Sequence, residues 1–151
     1  MEHQQDGPVT VHVDSEPEDR KVEQLRANLR SFNQACIGPY DAHHLLVTAK
    51  SLNGEMIGGI HGYIQFSWLH VHLLWVAPAW RRQGIGSRLL SGIEKKAQSM
   101  GISRSRLSTA DFQDGLHLYT KHGYTIFATL PFSSTGGEDQ HIEYLMQKQF
   151  S

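Results

Sequence analysis

The stretch that decides the fold lies in the middle of the chain and reads Val76-Ala77-Pro78-Ala79-Trp80-Arg81-Arg82-Gln83-Gly84-Ile85-Gly86-Ser87. An apolar strand over 71–76 leads into it, and apolar residues at helical spacing follow it as far as Met100. The first N–H groups of a helix have no partner within the helix, and the helix dipole adds positive charge there. Since the glycines also let a ligand approach the backbone, this order predicts a binding site for a phosphate-bearing cofactor.

Two common phosphate-binding turns do not fit this stretch. It lacks the Gly-x-x-x-x-Gly-Lys-Ser/Thr pattern of the nucleotide P-loop, and it has only two of the three glycines of the dinucleotide-binding fold. No acidic residue ends a following strand at the distance that the dinucleotide fold requires. Arg81 and Arg82 instead add full positive charge beside the glycines. The predicted site therefore binds phosphate but belongs to neither of these two classes.

Two motifs together resemble one known family. Arg81-x-x-Gly84-x-Gly86 resembles the pyrophosphate-binding signature of the GNAT acyltransferase superfamily, and the segment 118–124, Leu-Tyr-Thr-Lys-His-Gly-Tyr, resembles a second element of that family. The resemblance covers roughly residues 40–150 and is to a small, bacterial-type, single-domain member. It implies an α/β (α+β) fold with a mixed, mostly antiparallel central sheet of about six to seven strands flanked by about four helices. It also implies one domain over 1–151, with residues 1–7 flexible.

The resemblance implies acetyl-CoA as cosubstrate, an amine as acceptor, direct transfer in a ternary complex, and no metal. In the family the strand before the glycine turn splays from its neighbour, and the pantetheine arm pairs with its exposed backbone. The implied cofactor-binding residues are Leu74, Trp75 and Val76 on the strand, and Arg81, Arg82, Gln83, Gly84, Ile85, Gly86 and Ser87 in the turn.

Tyr119 matches the family position that protonates the leaving thiolate. A tyrosine hydroxyl suits that role, because a donor within reach of the sulfur can release its proton as the C–S bond breaks. The alternative is a core aromatic residue that packs with Leu116, and the motif favours the catalytic role. A backbone N–H near Val76 is expected to polarise the thioester carbonyl.

The general base is predicted less directly. His70 and His72 lie two apart on one strand, so strict alternation places them on the same face as Leu74 and Val76. A histidine of near-neutral pKa can take the amine's proton directly or through water. The alternative, that both are partly buried polar residues with hydrogen-bond partners, stays open. A metal site on this pair is not expected without a third ligand.

Two further residues are candidates for binding the acceptor. Asp111 ends a predicted strand, where a carboxylate could hold a cationic amine, although a helix N-cap is the alternative that we favour. Trp68 is one of several aromatic residues that could line the acceptor side or simply pack the sheet. Phe112 stands where many family members carry an asparagine that contacts pantetheine, so that contact is absent or comes from elsewhere.

Composition excludes several broad functions. The 151 residues carry a net charge of −1, which predicts no attraction to nucleic acid or acidic membranes. There is no apolar run long enough to span a membrane and no signal-like start, so we expect a cytoplasmic protein. Cys36 is the single cysteine, which precludes an intramolecular disulfide. The expected partner is a small-molecule amine, and a homodimer is plausible from the resemblance.

Three functions therefore compete: acetylation of a small-molecule amine, acetylation of a protein lysine or N-terminus, and non-catalytic acyl-CoA binding. The predicted secondary structure is compatible with all three functions.

Strands are predicted over 8–13, 44–51, 55–68, 70–76, 106–110, 124–130 and 142–149. Helices are predicted over 16–35 with Ser15 as N-cap, from the glycine turn to Met100, and over 112–122, with a flexible loop over 131–140.

Overall fold

The computed structural model describes residues 7–150, so most of the segment predicted to be flexible lies outside the described residues. The chain divides into two compact units, one ending at Pro39 and one beginning at Tyr40. In the described part of the chain, no helix is long and apolar enough to cross a membrane.

The first unit contains one helix, α1 (Asp19–Ile37). It ends two residues beyond the predicted end at 35, because Gly38 adopts a φ of 83° that terminates the helix. It begins later than predicted, and the residue before it is Glu18 rather than Ser15. The predicted strand over 8–13 is wrong: this segment has no regular structure, and no strand of residues 7–150 pairs with it. Its alternating valines fit a strand, but a strand also needs a neighbour to bond its backbone.

The second unit is built on a six-stranded sheet in the order β1-β2-β3-β4-β6-β5. The strands are β1 (His43–Lys50), β2 (Met56–Gln65), β3 (Trp68–Val76), β4 (Arg104–Ala110), β5 (Thr125–Phe132) and β6 (His141–Gln149). All neighbours pair antiparallel except β3 and β4, which run parallel. The sheet therefore confirms the predicted mixed, mostly antiparallel architecture.

Two α-helices and a short 3₁₀ turn complete this unit: α2 (Ile85–Ser99), α3 (Gly115–Lys121) and the turn Pro78–Trp80. The described chain thus has three α-helices, one fewer than the roughly four expected. Helix α3 starts three residues later than predicted. The Gln113 side chain accepts the Ala110 N–H at 2.9 Å, and this bond holds the segment before the helix in a turn.

The core lies between α2 and one face of the sheet. Leu89, Leu90, Ile93 and Ala97 of α2 pack on Ile60 and Leu69. Gly62 permits this close approach, because a Cβ there would lie 2.6 Å from the His70 carbonyl oxygen and 3.1 Å from the Ile93 side chain. Burial of this stripe fixes α2, and therefore its N-terminus, against the end of β3.

A β-bulge in β3 changes which side chains share a face. Gly62 pairs with Val71 and His61 pairs with Leu73, so His72 is an extra residue without an opposite partner. Leu74 and Val76 consequently pack on the α2 side, whereas His70 and His72 lie with side chains of the opposite face. The prediction that these histidines share a face with Leu74 and Val76 is wrong, because the bulge shifts the alternation by one residue.

Candidate functional site

The two central strands separate along most of their length. β3 and β4 pair only at Leu69 with Ser105 and at His70 with Arg106, after which they diverge. From the bulge to Val76, β3 is therefore bonded to β2 alone and presents its other backbone edge to a gap. An extended chain with amide groups could bond to such an edge. Leu74, Trp75 and Val76 lie on this open edge.

The glycine turn and the N-terminus of α2 close the wide end of the gap. Gly84 precedes α2 with a φ of 79°, and a Cβ placed there would meet nothing within 4 Å. No side chain caps the first turn of α2, so the N–H groups of Ile85, Gly86 and Ser87 are available to an anion. These residues fit a pyrophosphate group, which supplies oxygen acceptors and negative charge.

The arginines of the turn have different surroundings. Arg81 donates from Nε to the Val76 carbonyl oxygen at 2.8 Å, which fastens the turn to the end of β3. Arg82 has a φ of 63°, a conformation unusual for a residue with a side chain, and it is exposed together with Gln83. Arg82 thus brings exposed positive charge to the turn, while Arg81 also holds the turn in place through its bond to Val76.

Helix α3 is fastened to the same turn. His122 Nε2 lies 2.9 Å from Ser87 Oγ, within hydrogen-bond distance. A Cβ on Gly86 would lie only 3.3 Å from Leu118, so this glycine permits the close approach of the two helices. The turn that would hold the cofactor and the helix that carries Tyr119 are therefore in direct contact.

Tyr119 is buried in the same core cluster as Leu107 of β4. Burial raises the pKa of Tyr119 to about 12. Its ring lies edge-on to Tyr124 at 5.6 Å between centroids. The phenol therefore stays protonated at neutral pH, as a proton donor must.

A buried polar network is centred on Tyr124, the residue whose ring contacts Tyr119. The Tyr124 hydroxyl donates to Glu94 at 2.8 Å and lies 2.8 Å from Ser105 Oγ. Lys148 donates to the other Glu94 oxygen at 2.8 Å, so this buried carboxylate is paired with a charge and hydrogen-bonded. Burial raises the pKa of Tyr124 far above its usual range.

His70 lies at the narrow end of the gap. Its ring stacks on Tyr63 with 4.5 Å between centroids. Burial lowers the pKa of His70, and the positive charge of Arg106 lowers it further. The imidazole is consequently neutral at pH 7, the state that can accept a proton.

A row of three histidines crosses the same face of the sheet, one from each of the first three strands. His44 Nδ1 lies 3.1 Å from His61 Nε2, and His61 Nδ1 lies 3.3 Å from His72 Nδ1. We call these residues the imidazole row. The nitrogens face one another and do not converge on a point, and no metal-binding group of histidine, cysteine or carboxylate residues occurs within residues 7–150.

The two predicted acceptor-binding residues lie at the ends of the two strands that border the gap, Asp111 directly after β4 and Trp68 at the start of β3. Asp111 is not an N-cap: its carboxylate accepts the Ile142 N–H at 3.2 Å and lies 3.0 Å from His141 Nδ1. Trp68 is at the start of β3, under the Arg104 guanidinium at 4.4 Å from the ring centroid. Val76 lies at the other end of the same strand, roughly 25 Å away.

Several residues of the site were missed by sequence reasoning. His44, His61, His122 and Glu94 reach the site only through strand register or helix packing. The Asn53-Gly54 hairpin signal could have revealed part of this, because the β1–β2 register sets His44 opposite Tyr63. Gly58, Gly59 and Gly62 were the sequence signal for a bulge or close packing in this strand, and the register does shift between His61 and Gly62. These glycines did not indicate that the bulge would place His72 beside His61.

Comparison with known proteins gives consistent results. The sequence model of the Acetyltransferase (GNAT) family matches residues 10–124. Blasticidin-S acetyltransferase of Streptomyces morookaense is 42% identical over 79 residues, which are 52% of this chain and 57% of that protein. The chain thus spans little more than half the length of that relative. An acetyltransferase of Agrobacterium fabrum is 32% identical over 126 residues, covering 83% of this chain and 88% of the relative.

A third relative, aminoalkylphosphonate N-acetyltransferase of Salmonella typhimurium, is 35% identical over 79 residues, 48% of this chain and 51% of that protein. Among solved structures, one from Agrobacterium tumefaciens superimposes with a TM-score of 0.81 at 27% identity, covering 94% of this chain and all of that one. A Bacillus anthracis structure in complex with acetyl coenzyme A has a TM-score of 0.64 at 18% identity, covering 74% and 65% of the two chains.

Proposed function

Because the chain belongs to the GNAT family of acetyltransferases, we propose that it transfers an acetyl group from acetyl-CoA to an amine of a small molecule. The observation that carries this proposal is the gap between β3 and β4, which runs from an uncapped helix N-terminus to a pair of histidines. Two relatives whose names specify small amino compounds favour this class of acceptor.

The residues act in sequence along the gap. The turn Arg81–Ser87 would hold the pyrophosphate through backbone N–H groups and arginine charge, and the open edge of β3 would bond to the pantetheine arm. The relative solved with acetyl coenzyme A has the same fold and supports this donor. A backbone N–H near Val76 would stabilise the charge that develops on the carbonyl oxygen.

Tyr119 would then give its proton to the departing thiolate. The high pKa of Tyr119 does not prevent this transfer. A site of low polarity also raises the pKa of the CoA thiol, so the departing thiolate is more basic there than in water. His70 and His72 are the candidates for accepting the amine's proton, since both lie where the gap narrows. With Tyr119 as the acid and His70 or His72 as the base, the transfer would be direct, in a ternary complex of enzyme, acetyl-CoA and amine.

The test is thiol release from acetyl-CoA with a panel of amines: polyamines, amino acids, an amino nucleoside, an aminoalkylphosphonate and lysine peptides. We expect release that depends on one class of small amine. Release with peptides alone would favour a protein acetyltransferase, and acetyl-CoA binding without release would favour a non-catalytic module.

A tyrosine variant tests the assigned acid. Tyr119→Phe should lower kcat by on the order of 10²-fold with an unchanged dissociation constant for acetyl-CoA, since only the proton donor is lost. Turnover equal to that of the wild type would remove Tyr119 from the mechanism.

A further inference from the structure

The imidazole row joins the bulge of β3 to the surface at β1. His72 stands at the bulge and His44 at the other end, both exposed, and His61 is half-buried between them. His61 contacts His44 through its Nε2 and His72 through its Nδ1, and each of the outer rings faces His61 with its Nδ1. The Nε2 atoms of His72 and His44 are therefore the only ring nitrogens of the row that do not face another ring of the row. A continuous hydrogen-bonded path therefore has one free nitrogen at each end.

We propose that the imidazole row is a proton relay, in which His72 takes the proton of the acceptor amine and His61 and His44 pass one on to solvent. The relay rests on the proposed acetyl transfer. It extends the proton-transfer machinery from β3, which carries the candidate bases, to His61 on β2 and His44 on β1.

The proton balance of the relay is closed. An ammonium N–H bond breaks, its electron pair stays on the amine nitrogen, and the proton binds His72 Nε2. His72 then gives its Nδ1 proton to His61 Nδ1, and His61 gives its Nε2 proton to His44 Nδ1. His44 releases its Nε2 proton to water. One proton enters and one leaves, and each ring ends as the other neutral tautomer. After the product departs, His72 loses its Nε2 proton to water while His44 takes one from water at Nε2, so the tautomers return and the net result of a cycle is one proton released.

The relay gives the proton a route while the acceptor is bound. His72 is exposed, but an amine that donates to its Nε2 would cover that nitrogen, and Nδ1 faces His61 at 3.3 Å. The proton that His72 gains would then have a path to solvent through His61. Rings in the row are also mutually oriented, with His44 stacked on His61 at 5.3 Å and His72 edge-on to His61 at 5.4 Å between centroids.

Other ionisable groups on this face set the charge around the row. They are Lys50 on β1, Tyr63 on β2, His70 on β3, Arg104 and Arg106 on β4 and Glu143 on β6. Three of these groups are cations and one is a carboxylate, and among the histidines of this face the pKa of His70 is lowered, by burial first and then by the charge of Arg106.

The decisive variant is His61→Phe, which keeps a planar ring but removes both nitrogens of the middle link. We expect kcat to fall about tenfold, less than the on-the-order-of-10²-fold loss for His72→Phe, which removes the base itself. Added imidazole should restore the kcat of the His61→Phe variant. The solvent proton inventory of kcat should be curved in the wild type and linear in the variant. His43→Phe is the matched control, because His43 neighbours His44 on β1 but points to the other side of the strand.

A measurement without turnover separates the relay from the enzymatic proposal. In ¹⁵N spectra of histidine side chains, His61→Phe should shift the ring resonances of both His44 and His72 and leave His43 unchanged. Unchanged resonances, or a His61→Phe enzyme with wild-type kcat and proton inventory beside an impaired His72→Phe, would overturn the relay. If the wild type releases no thiol with any amine, the acetyl transfer fails, whereas the spectra still decide whether the row exists.

Discussion

Gly115→Ala should displace Tyr119 without touching its hydroxyl. A Cβ on Gly115 would lie 2.7 Å from Thr109 Oγ1 and 2.8 Å from Tyr119 Cε2. Carbon atoms pack at about 3.5 Å or more, so the ring must move by roughly 0.7 Å. A misplacement near 1 Å can lower a rate about 10²-fold, so we expect kcat to fall by on the order of ten- to hundredfold.

Stability provides the second readout for the same substitution. Alanine normally favours a helix over glycine, but overpacking here should destabilise the fold by about 1–3 kcal/mol. Gly92→Ala is the matched control in α2, because its Cβ would meet Val47 at an ordinary 3.4 Å. That variant should gain about 0.5–1 kcal/mol and keep wild-type turnover. Urea unfolding and thiol release measure both variants, and a Gly115→Ala protein with wild-type stability and kcat would refute the packing argument.

Two further predictions concern the buried tyrosines. Burial raises the pKa of Tyr119 to about 12. Protonated Tyr119 therefore makes its full contribution to the free energy of unfolding below about pH 10, where an unfolded tyrosine titrates, and this contribution is lost as the pH rises toward 12. The unfolding free energy of the wild type should therefore fall about 1 kcal/mol more than that of Tyr119→Phe between pH 8 and pH 11, and parallel curves would contradict this. Tyr124→Phe should destabilise the fold by about 1–3 kcal/mol in urea unfolding, because buried Glu94 loses a donor; a loss near zero would show that water replaces the hydroxyl.

The part of the site that the sequence predicted is the part set by local rules. A strand, a glycine-rich turn and an amphipathic helix follow one another directly, so the cradle of Arg81–Ser87 and the course of α2 could be inferred from order alone. Tyr119 was assigned from the resemblance of a motif within one short helix to an element of the family, and its role stays a prediction. Where the local pattern was incomplete, prediction failed: the strand over 8–13 has the right alternation but no partner strand within the described residues.

The remaining site residues depend on register, which no short pattern encodes. Glu94 and Lys148 are 54 residues apart, and they meet because α2 crosses the strand that pairs with β4. His44, His61 and His72 come together only when two hairpins are aligned. A one-residue change of register moves every side chain of a strand to the other face, so small errors erase such contacts from a prediction.

The bulge at His72 shows how one extra residue organises the whole site. With strict alternation His72 would point toward α2 together with Leu74 and Val76, on the side where Tyr119 lies. The bulge instead leaves Leu74 and Val76 in the core and sends His72 to the opposite face, next to His61. The proposed acid and the proposed base therefore lie on opposite faces of the sheet, and the gap between β3 and β4 is the opening between those faces. A thioester in that gap would be reached by the amine from one side and by the phenol from the other, so neither proton transfer would obstruct the other.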